Sequence, residues 1–133
     1  MFVEAEDIDL LRKRFADSFM EYAEAEPGAT GLELLLSLSL KWAHETGVPL
    51  QRALDVVTAQ PARILGHAKS IGHLQVGGVA DVVVFDPQEQ WQVTSDGLHS
   101  QGKHTPFSFT RSGMALPGRV KATWVNGHLA FAA

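Results

Sequence analysis

One stretch near the middle of the chain, Gly72 to Pro87, constrains the fold more than any other. Glycine readily takes the positive φ of a tight reversal, so we predict two short strands around Gly77-Gly78. Val82 to Phe85 is an unbroken β-branched and aromatic run, which is typical of a strand covered on both faces. We expect Asp86-Pro87 to end that strand, because proline offers no donor to the ladder. From its physical properties alone, the stretch is a buried β-hairpin.

The residues before this stretch have helical periodicity. A second helix is predicted from Thr30 or Gly31 to about Glu45, and its many apolar residues indicate burial on most sides. Gly47 suits its C-terminal end, and Pro49 and Pro61 begin two shorter helices. A first helix is predicted from Asp7 to Glu26, because apolar side chains recur there every three or four positions. They form one stripe: Ile8, Leu11, Phe15, Phe19 and Tyr22.

Beyond Ser70 the pattern changes to that of strands. Trp91 to Thr94 alternates as a half-exposed strand does. Gly118 to Val125 alternates too, and Asn126-Gly127 is a type I′ turn signal that leads into a returning strand, His128 to Phe131. We therefore predict an α+β protein with a helical part over residues 1–69 and a β-rich part over residues 70–133.

Composition excludes several classes of function. At 133 residues the chain suits one modest domain, and it is too short for a (β/α)8 barrel, which takes about 250 residues. A net charge of −4 gives no reason to expect a nucleic-acid partner. Cysteine is absent, which removes thiolate zinc sites and fits a reducing cytoplasm. The apolar runs are too short to cross a bilayer and the acidic N-terminus is unlike an export signal, so we predict a cytoplasmic protein without a membrane partner.

Several stretches, in order along the chain, resemble one enzyme family. Gly72 to Asp86 is similar to the segment with which metal-dependent amidohydrolases return from their catalytic barrel to a small β-sandwich. Ser100 to Phe107 resembles the Ser-x-(Gly/Ser)-(Lys/Arg)-Asn-Thr-Pro-Phe signature of dihydroorotases, with His104 in place of asparagine. Ala25 to Glu33, Pro61 to Gly66 and Leu116 to Val120 extend this likeness, which runs from about Tyr22 to the C-terminus.

The resemblance to dihydroorotases implies a fold, a reaction and a site. Residues 22–66 would be the last helices of a (β/α)8 barrel, and residues 70–133 part of a small β-sandwich. Dihydroorotases serve pyrimidine biosynthesis by interconverting carbamoyl aspartate and dihydroorotate; a zinc-bound hydroxide attacks the ring carbonyl and a barrel aspartate moves the proton. In the family, the loop matching Ala25, Pro27 and Gly28 contacts the substrate at the barrel mouth. These three are therefore the predicted substrate-binding residues.

The catalytic equipment of the family is not recognisable in this sequence. None of the six histidines has metal-ligand spacing. We therefore predict no catalytic residue, no metal ligand and no cofactor in this chain, although zinc serves the full-length family. Asp9 falls near the position of the family's catalytic aspartate, but its helical surroundings favour a role at a helix start. The chain is expected to be the C-terminal part of a dihydroorotase-like enzyme, inactive alone.

Two other roles stay open for the chain. It could be an assembly partner of aspartate carbamoyltransferase, as non-catalytic dihydroorotase-like proteins are, or a metal hydrolase with unrecognised ligands. Without a barrel, the second helix would have an uncovered apolar face and the sheet an unpaired edge. We therefore expect either a homo-oligomer, most simply a two-fold dimer, or a fold in which Met1 to Tyr22 covers that face.

Overall fold

The computed structural model describes residues 28–108 and 113–133. The strands form one antiparallel sheet in the order β1-β2-β3, and the described chain is α+β with its helices first, as predicted. The first predicted helix, Asp7 to Glu26, lies outside the described residues. The elements are a 3-10 turn (Leu32–Leu34), helices α1 (Leu35–Thr46), α2 (Leu50–Val57) and α3 (Ala59–Ile64), and strands β1 (Val82–Val93), β2 (Met114–Val125) and β3 (His128–Ala132).

Helix α1 ends where the sequence indicates but is less buried than predicted. Gly47 follows it with a φ of 70°, the left-handed conformation that glycine adopts at helix ends. Burial on most sides is wrong for the described structure: Ser37, Leu40 and Ala43 are buried, whereas Leu35 is 50% exposed. The reason is that strand β2 and helix α2 pack against parts of this helix, while the side that carries Leu35 stays open among the described residues.

Only one of the two shorter helices begins at its predicted proline. The carbonyl oxygen of Pro49 accepts hydrogen bonds from the N–H groups of Arg52 and Ala53 at 2.9 and 3.1 Å, so it does begin α2. Helix α3 begins at Ala59, two residues before Pro61, which therefore lies in the first turn, where its missing N–H is not needed.

Among residues 28–108 and 113–133, the helices lack the length and apolar character that a membrane span requires.

The stretch Gly72 to Pro87 forms a turn and the first part of one strand, β1, rather than a hairpin. A turn is present, in which the Gly78 N–H donates a hydrogen bond to the Gln75 carbonyl at 3.1 Å. No described strand precedes this turn. The backbone after the turn pairs elsewhere. The Ala80 carbonyl accepts from the Gly127 N–H at 3.0 Å, and the Asp81 carboxylate accepts from the Asn126 N–H at 2.6 Å. Asp81 thus caps the turn between β2 and β3.

Strand β1 continues through Asp86-Pro87, so the predicted end at this pair is wrong. The pairing with β2 is irregular between Asp86 and Gln90, and an irregular edge strand tolerates a residue without an N–H. The Asp86 carboxylate accepts from the N–H of Gln88 at 2.9 Å. The predicted cover on both faces is also wrong, because Val83 and Val84 are 49% and 47% exposed.

The hairpin of β2 and β3 confirms the Asn-Gly prediction. Asn126 and Gly127 have φ angles of 49° and 78°, which match a type I′ turn, and Val125 pairs with His128. Within the described residues, β1 and β3 each pair on one side only.

A small core joins the helices to the sheet. Its buried members are Leu34, Val93, Leu98 and Leu116, which come from the 3-10 turn, the end of β1, the connection after it and β2. The Ser37 hydroxyl accepts from the Trp91 indole N–H at 3.1 Å and donates to the Gly118 carbonyl at 3.4 Å. These contacts cross the predicted boundary at residues 69 and 70, which stays a prediction.

Strand β2 approaches α1 closely at Gly118, and substitution of this glycine tests the packing. Its φ is 92°, and a Cβ there would overlap Cδ1 of Leu40. Gly118→Ala should lower the free energy of unfolding by about 2–4 kcal/mol, because backbone strain adds to overpacking. The matched control is Gly47→Ala, whose φ of 70° is also positive but whose surroundings are open. Gly47→Ala should lower the free energy of unfolding, measured in urea, by about 1 kcal/mol. Equal losses of stability in the two variants would contradict this packing.

Candidate functional site

Gly28 is the one predicted substrate-binding residue that the structure describes. Ala25 and Pro27 lie outside the described residues. Gly28 is exposed, its φ is 146°, and nothing lies within 4 Å of where a Cβ would be. Glycine tolerates this backbone conformation far better than other residues do, and it leaves its backbone groups open to a ligand. Substrate contact by these three residues stays a prediction.

Thr30, two residues after Gly28, is tied to residues 98–107, the loop that carries the dihydroorotase-like signature and is called the signature loop below. The Thr30 backbone N–H donates to the His104 carbonyl at 2.7 Å. The Thr30 hydroxyl donates to the Gly102 carbonyl at 2.9 Å. The approach at Gly102 is close, since a Cβ there would lie 2.6 Å from the Thr30 hydroxyl oxygen. The backbone after Gly28 is therefore fixed against the signature loop.

Glu33 makes a second tie to the same loop. Its carboxylate accepts from the backbone N–H groups of His99 at 3.0 Å and Ser100 at 3.2 Å. Burial by itself would raise the pKa of Glu33, but the hydrogen bonds from His99 and Ser100 outweigh it, so the pKa lies below its usual value. Glu33 is therefore charged at neutral pH, when its hydrogen bonds are strongest.

The signature loop is in turn fixed by the core. Leu98 is 3% exposed and belongs to the core, and Phe107 packs against it. Thr105 is 1% exposed, and its hydroxyl oxygen has no hydrogen-bond partner among the described residues. The Lys103 ammonium donates to the Leu98 carbonyl. The loop therefore serves as a rigid support for the segment that begins at Gly28.

The pairing of these two segments was not predicted from the sequence. Thr30 and Glu33 lie within one stretch that resembles dihydroorotases, and Gly102 and His104 lie within another. Their separations of 72 residues for Thr30–Gly102 and 66 for Glu33–His99 exceed the range of any local pattern. The structure also explains how histidine can stand in place of asparagine in the signature. At position 104 the backbone carbonyl forms the tie to Thr30, and every residue type supplies that group.

The described residues do not fit the zinc site that the resemblance implies. In residues 28–108 and 113–133, no three His, Asp or Glu side chains form a group that could hold a metal ion. His99 instead packs edge-on against Phe131, with ring centroids 5.1 Å apart. His44, His67 and His128 are exposed. Asp9, near the position of the family's catalytic aspartate, lies outside the described residues.

The low pKa of Glu33 predicts a pH-dependent stability. A carboxylate whose pKa is lowered on folding stabilises above its unfolded pKa, and this contribution is lost as pH falls through the folded pKa. Glu33→Gln should therefore cost about 1 kcal/mol at pH 7, a value discounted for partial exposure. The cost should shrink as pH falls below about 4.5, the ordinary pKa of this carboxyl.

Urea unfolding of the parent and Glu33→Gln at pH 7 and at pH 3 measures this change. The control is Glu45→Gln, which removes the partner of Lys41 on the exposed side of α1 and should cost less than about 0.5 kcal/mol at both pH values. A cost for Glu33→Gln that is the same at both pH values would contradict the role of its charge.

Comparison with known proteins identifies the family. The amidohydrolase family model matches residues 20–131, close to the start at Tyr22 predicted from the motifs. The dihydroorotase of Citrifermentans bemidjiense is 38% identical over 114 residues, which are 86% of this chain and 26% of that protein. A dihydroorotase-like protein of Pseudomonas aeruginosa is 38% identical over 108 residues, 81% of this chain and 24% of that protein. The chain thus spans about a quarter of the length of the curated relatives it matches.

A solved structure agrees at the level of the fold. The D-hydantoinase (dihydropyrimidinase) from Thermus sp. superimposes with a TM-score of 0.71 over 84% of this chain and 24% of that one. The sequence identity is 23%, so this likeness shows the fold alone. The match to the family model over residues 20–131 shows that the chain belongs to the amidohydrolase family, and within this family its sequence is similar to the dihydroorotases.

Proposed function

We propose that this chain acts as the C-terminal part of a dihydroorotase-like amidohydrolase. Its role is to hold the substrate loop Ala25 to Gly28, while residues that do not belong to this chain supply the zinc chemistry. The reaction is the opening or closing of a cyclic amide between dihydroorotate and carbamoyl aspartate, a step in pyrimidine biosynthesis. On this proposal the protein is cytoplasmic, and the chain by itself is inactive.

The observation that carries the proposal is the double tie at Thr30 and Glu33. The Thr30 N–H donates to the His104 carbonyl at 2.7 Å. The Glu33 carboxylate accepts from the His99 N–H at 3.0 Å. Gly28 lies two residues before the first tie, which limits where its backbone can lie before a ligand arrives. A loop that is ordered in advance loses less entropy on binding and can orient the reacting ring.

The chemistry of the loop suits a cyclic amide with a carboxylate. A backbone N–H can donate to a carboxylate oxygen, and a backbone carbonyl can accept from a ring N–H. Gly28 is exposed and has no side chain to keep a ligand away from these groups. Dihydroorotate carries both a carboxylate and ring amides, so one glycine-containing segment could contact either group.

A chimera tests the proposal. The C-terminal segment of the C. bemidjiense dihydroorotase that matches this chain is replaced by residues 20–133, and the opening of dihydroorotate is measured. The chimera should bind zinc and turn over substrate. Gly28→Val should raise its KM about ten-fold, equivalent to 1.4 kcal/mol of lost binding, with a smaller change in kcat. Gly31→Val is the matched control, since Gly31 also has open surroundings but has a φ of −142°.

Two outcomes of the chimera would count against the proposal, each on a different point. A folded, zinc-loaded chimera that does not open dihydroorotate would overturn the assigned reaction. An active chimera in which Gly28→Val and Gly31→Val behave alike would overturn the substrate role of the loop. Turnover of dihydroorotate by the purified chain alone would contradict its proposed dependence on other residues.

A second candidate function is assembly with aspartate carbamoyltransferase. It is favoured by the absence of a metal-binding group among the described residues and by the likeness to the dihydroorotase-like protein of P. aeruginosa. Co-sedimentation of the purified chain with aspartate carbamoyltransferase should then give a stable complex, and the same run without that enzyme should give a homo-oligomer or a monomer. Independent sedimentation of the two proteins at micromolar concentration would exclude this function for the chain.

A further inference from the structure

An apolar groove of about 1010 Å³ runs between the helices and one face of the sheet. Its lining includes three side chains that are unusually exposed for leucines, Leu32 at 87%, Leu65 at 67% and Leu74 at 79%. Contiguous exposed apolar surface marks a site where another element docks. On the sheet side, Val83 and Phe131 both line the groove, and both pair with Thr123, so they share one face.

The chain carries a sequence that matches this groove in character. Residues 1–27 lie outside the described part, and the family model begins to match only at residue 20. The stripe of large apolar residues from Ile8 to Tyr22 is predicted to occupy one side of a helix, with Lys13 and Asp17 on the opposite side. Such an amphipathic helix needs an apolar surface to cover its stripe, and grooves between packed elements accept helices in this way.

We propose that the segment Ile8 to Tyr22 docks in this groove as a helix, with its apolar stripe facing Leu65 and Val83. Five residues lie between Tyr22 and Gly28, and the chain from Tyr22 to Gly28 reaches about 20 Å when extended. Leu32, just beyond, is part of the groove lining. A helix over these 15 residues is about 22 Å long. The connection is therefore short and leads directly to the groove.

The same connection favours this segment over a second copy of the chain. A segment held by a short linker has an effective concentration in the millimolar range, which a separate molecule reaches only in concentrated solution. Docking would also fix the chain at Tyr22, just before the loop from Ala25 to Gly28, while Thr30 is fixed on the other side by the signature loop. The inference does not depend on the reaction proposed above.

Thiol labelling of the full chain tests the proposal, because the protein has no cysteine of its own. Val83 and Val84 are neighbours with 49% and 47% exposure, and only Val83 lines the groove. In Val83→Cys, maleimide labelling should be at least about ten-fold slower than in Val84→Cys, because the docked segment covers only the first position. Equal labelling of the two cysteines would overturn the proposal.

Paired substitutions in the segment identify what covers Val83. Phe15→Ser with Phe19→Ser should abolish the slow labelling, whereas Lys13→Ser with Asp17→Ser should preserve it. Both pairs have the same spacing and leave the net charge unchanged. If Val83→Cys is still labelled slowly after the phenylalanine changes, and more slowly at higher protein concentration, a second copy of the chain covers the groove. That result too would overturn the proposal.

A disulfide measurement covers the case in which the phenylalanine variant unfolds. Amide exchange in β2 reports whether the sheet persists in that variant. If it does not, single cysteines at Phe15, Phe19 or Lys13 are each combined with Val83→Cys in the otherwise unchanged chain. Oxidation should give a monomeric cross-link from Phe15 or Phe19 and not from Lys13. No cross-link from either phenylalanine position, or equal cross-linking from Lys13, would overturn the proposal.

Discussion

The burial of Leu34 against Val93, Leu98 and Leu116 is the contact on which the rest of the described structure depends. These four side chains come from a helical turn, two strands and a loop, so their contact sets the position of the helices on the sheet. Leu34 directly follows Glu33 in the chain, and its burial places that carboxylate at the N–H groups of His99 and Ser100. The hydrogen bonds of Glu33 to the backbone of His99 and Ser100 are therefore a consequence of apolar packing.

The signature-like stretch from Ser100 to Phe107 has a structural role in this chain. Its carbonyl groups at Gly102 and His104 receive the hydrogen bonds of Thr30, and its Phe107 packs against the core. None of these contacts requires an acidic or nucleophilic side chain. A stretch that resembles an enzyme-family signature thus holds two distant parts of this chain together through its backbone.

A small core leaves much apolar surface for other contacts. The described structure buries four side chains in its main cluster, while Leu32, Leu65 and Leu74 are mostly exposed. Packing of that kind stabilises a domain only weakly unless another segment or protein covers the exposed face. Docking of the N-terminal stripe would supply this cover, and it would fix the loop from Ala25 to Gly28 on both sides.

The sequence by itself determined the features that depend on a few neighbouring residues: the helix end at Gly47, the turn at Asn126-Gly127, the order of helices before strands, and the family through its motifs. The tertiary structure alone decided that β1 passes Pro87, that one side of α1 is covered, and that Thr30 and Glu33 meet a loop about 70 residues away. The physical reason is the distance along the chain over which each interaction acts. Backbone preferences act over a few residues, whereas burial, strand register and distant hydrogen bonds depend on which surfaces finally pack together.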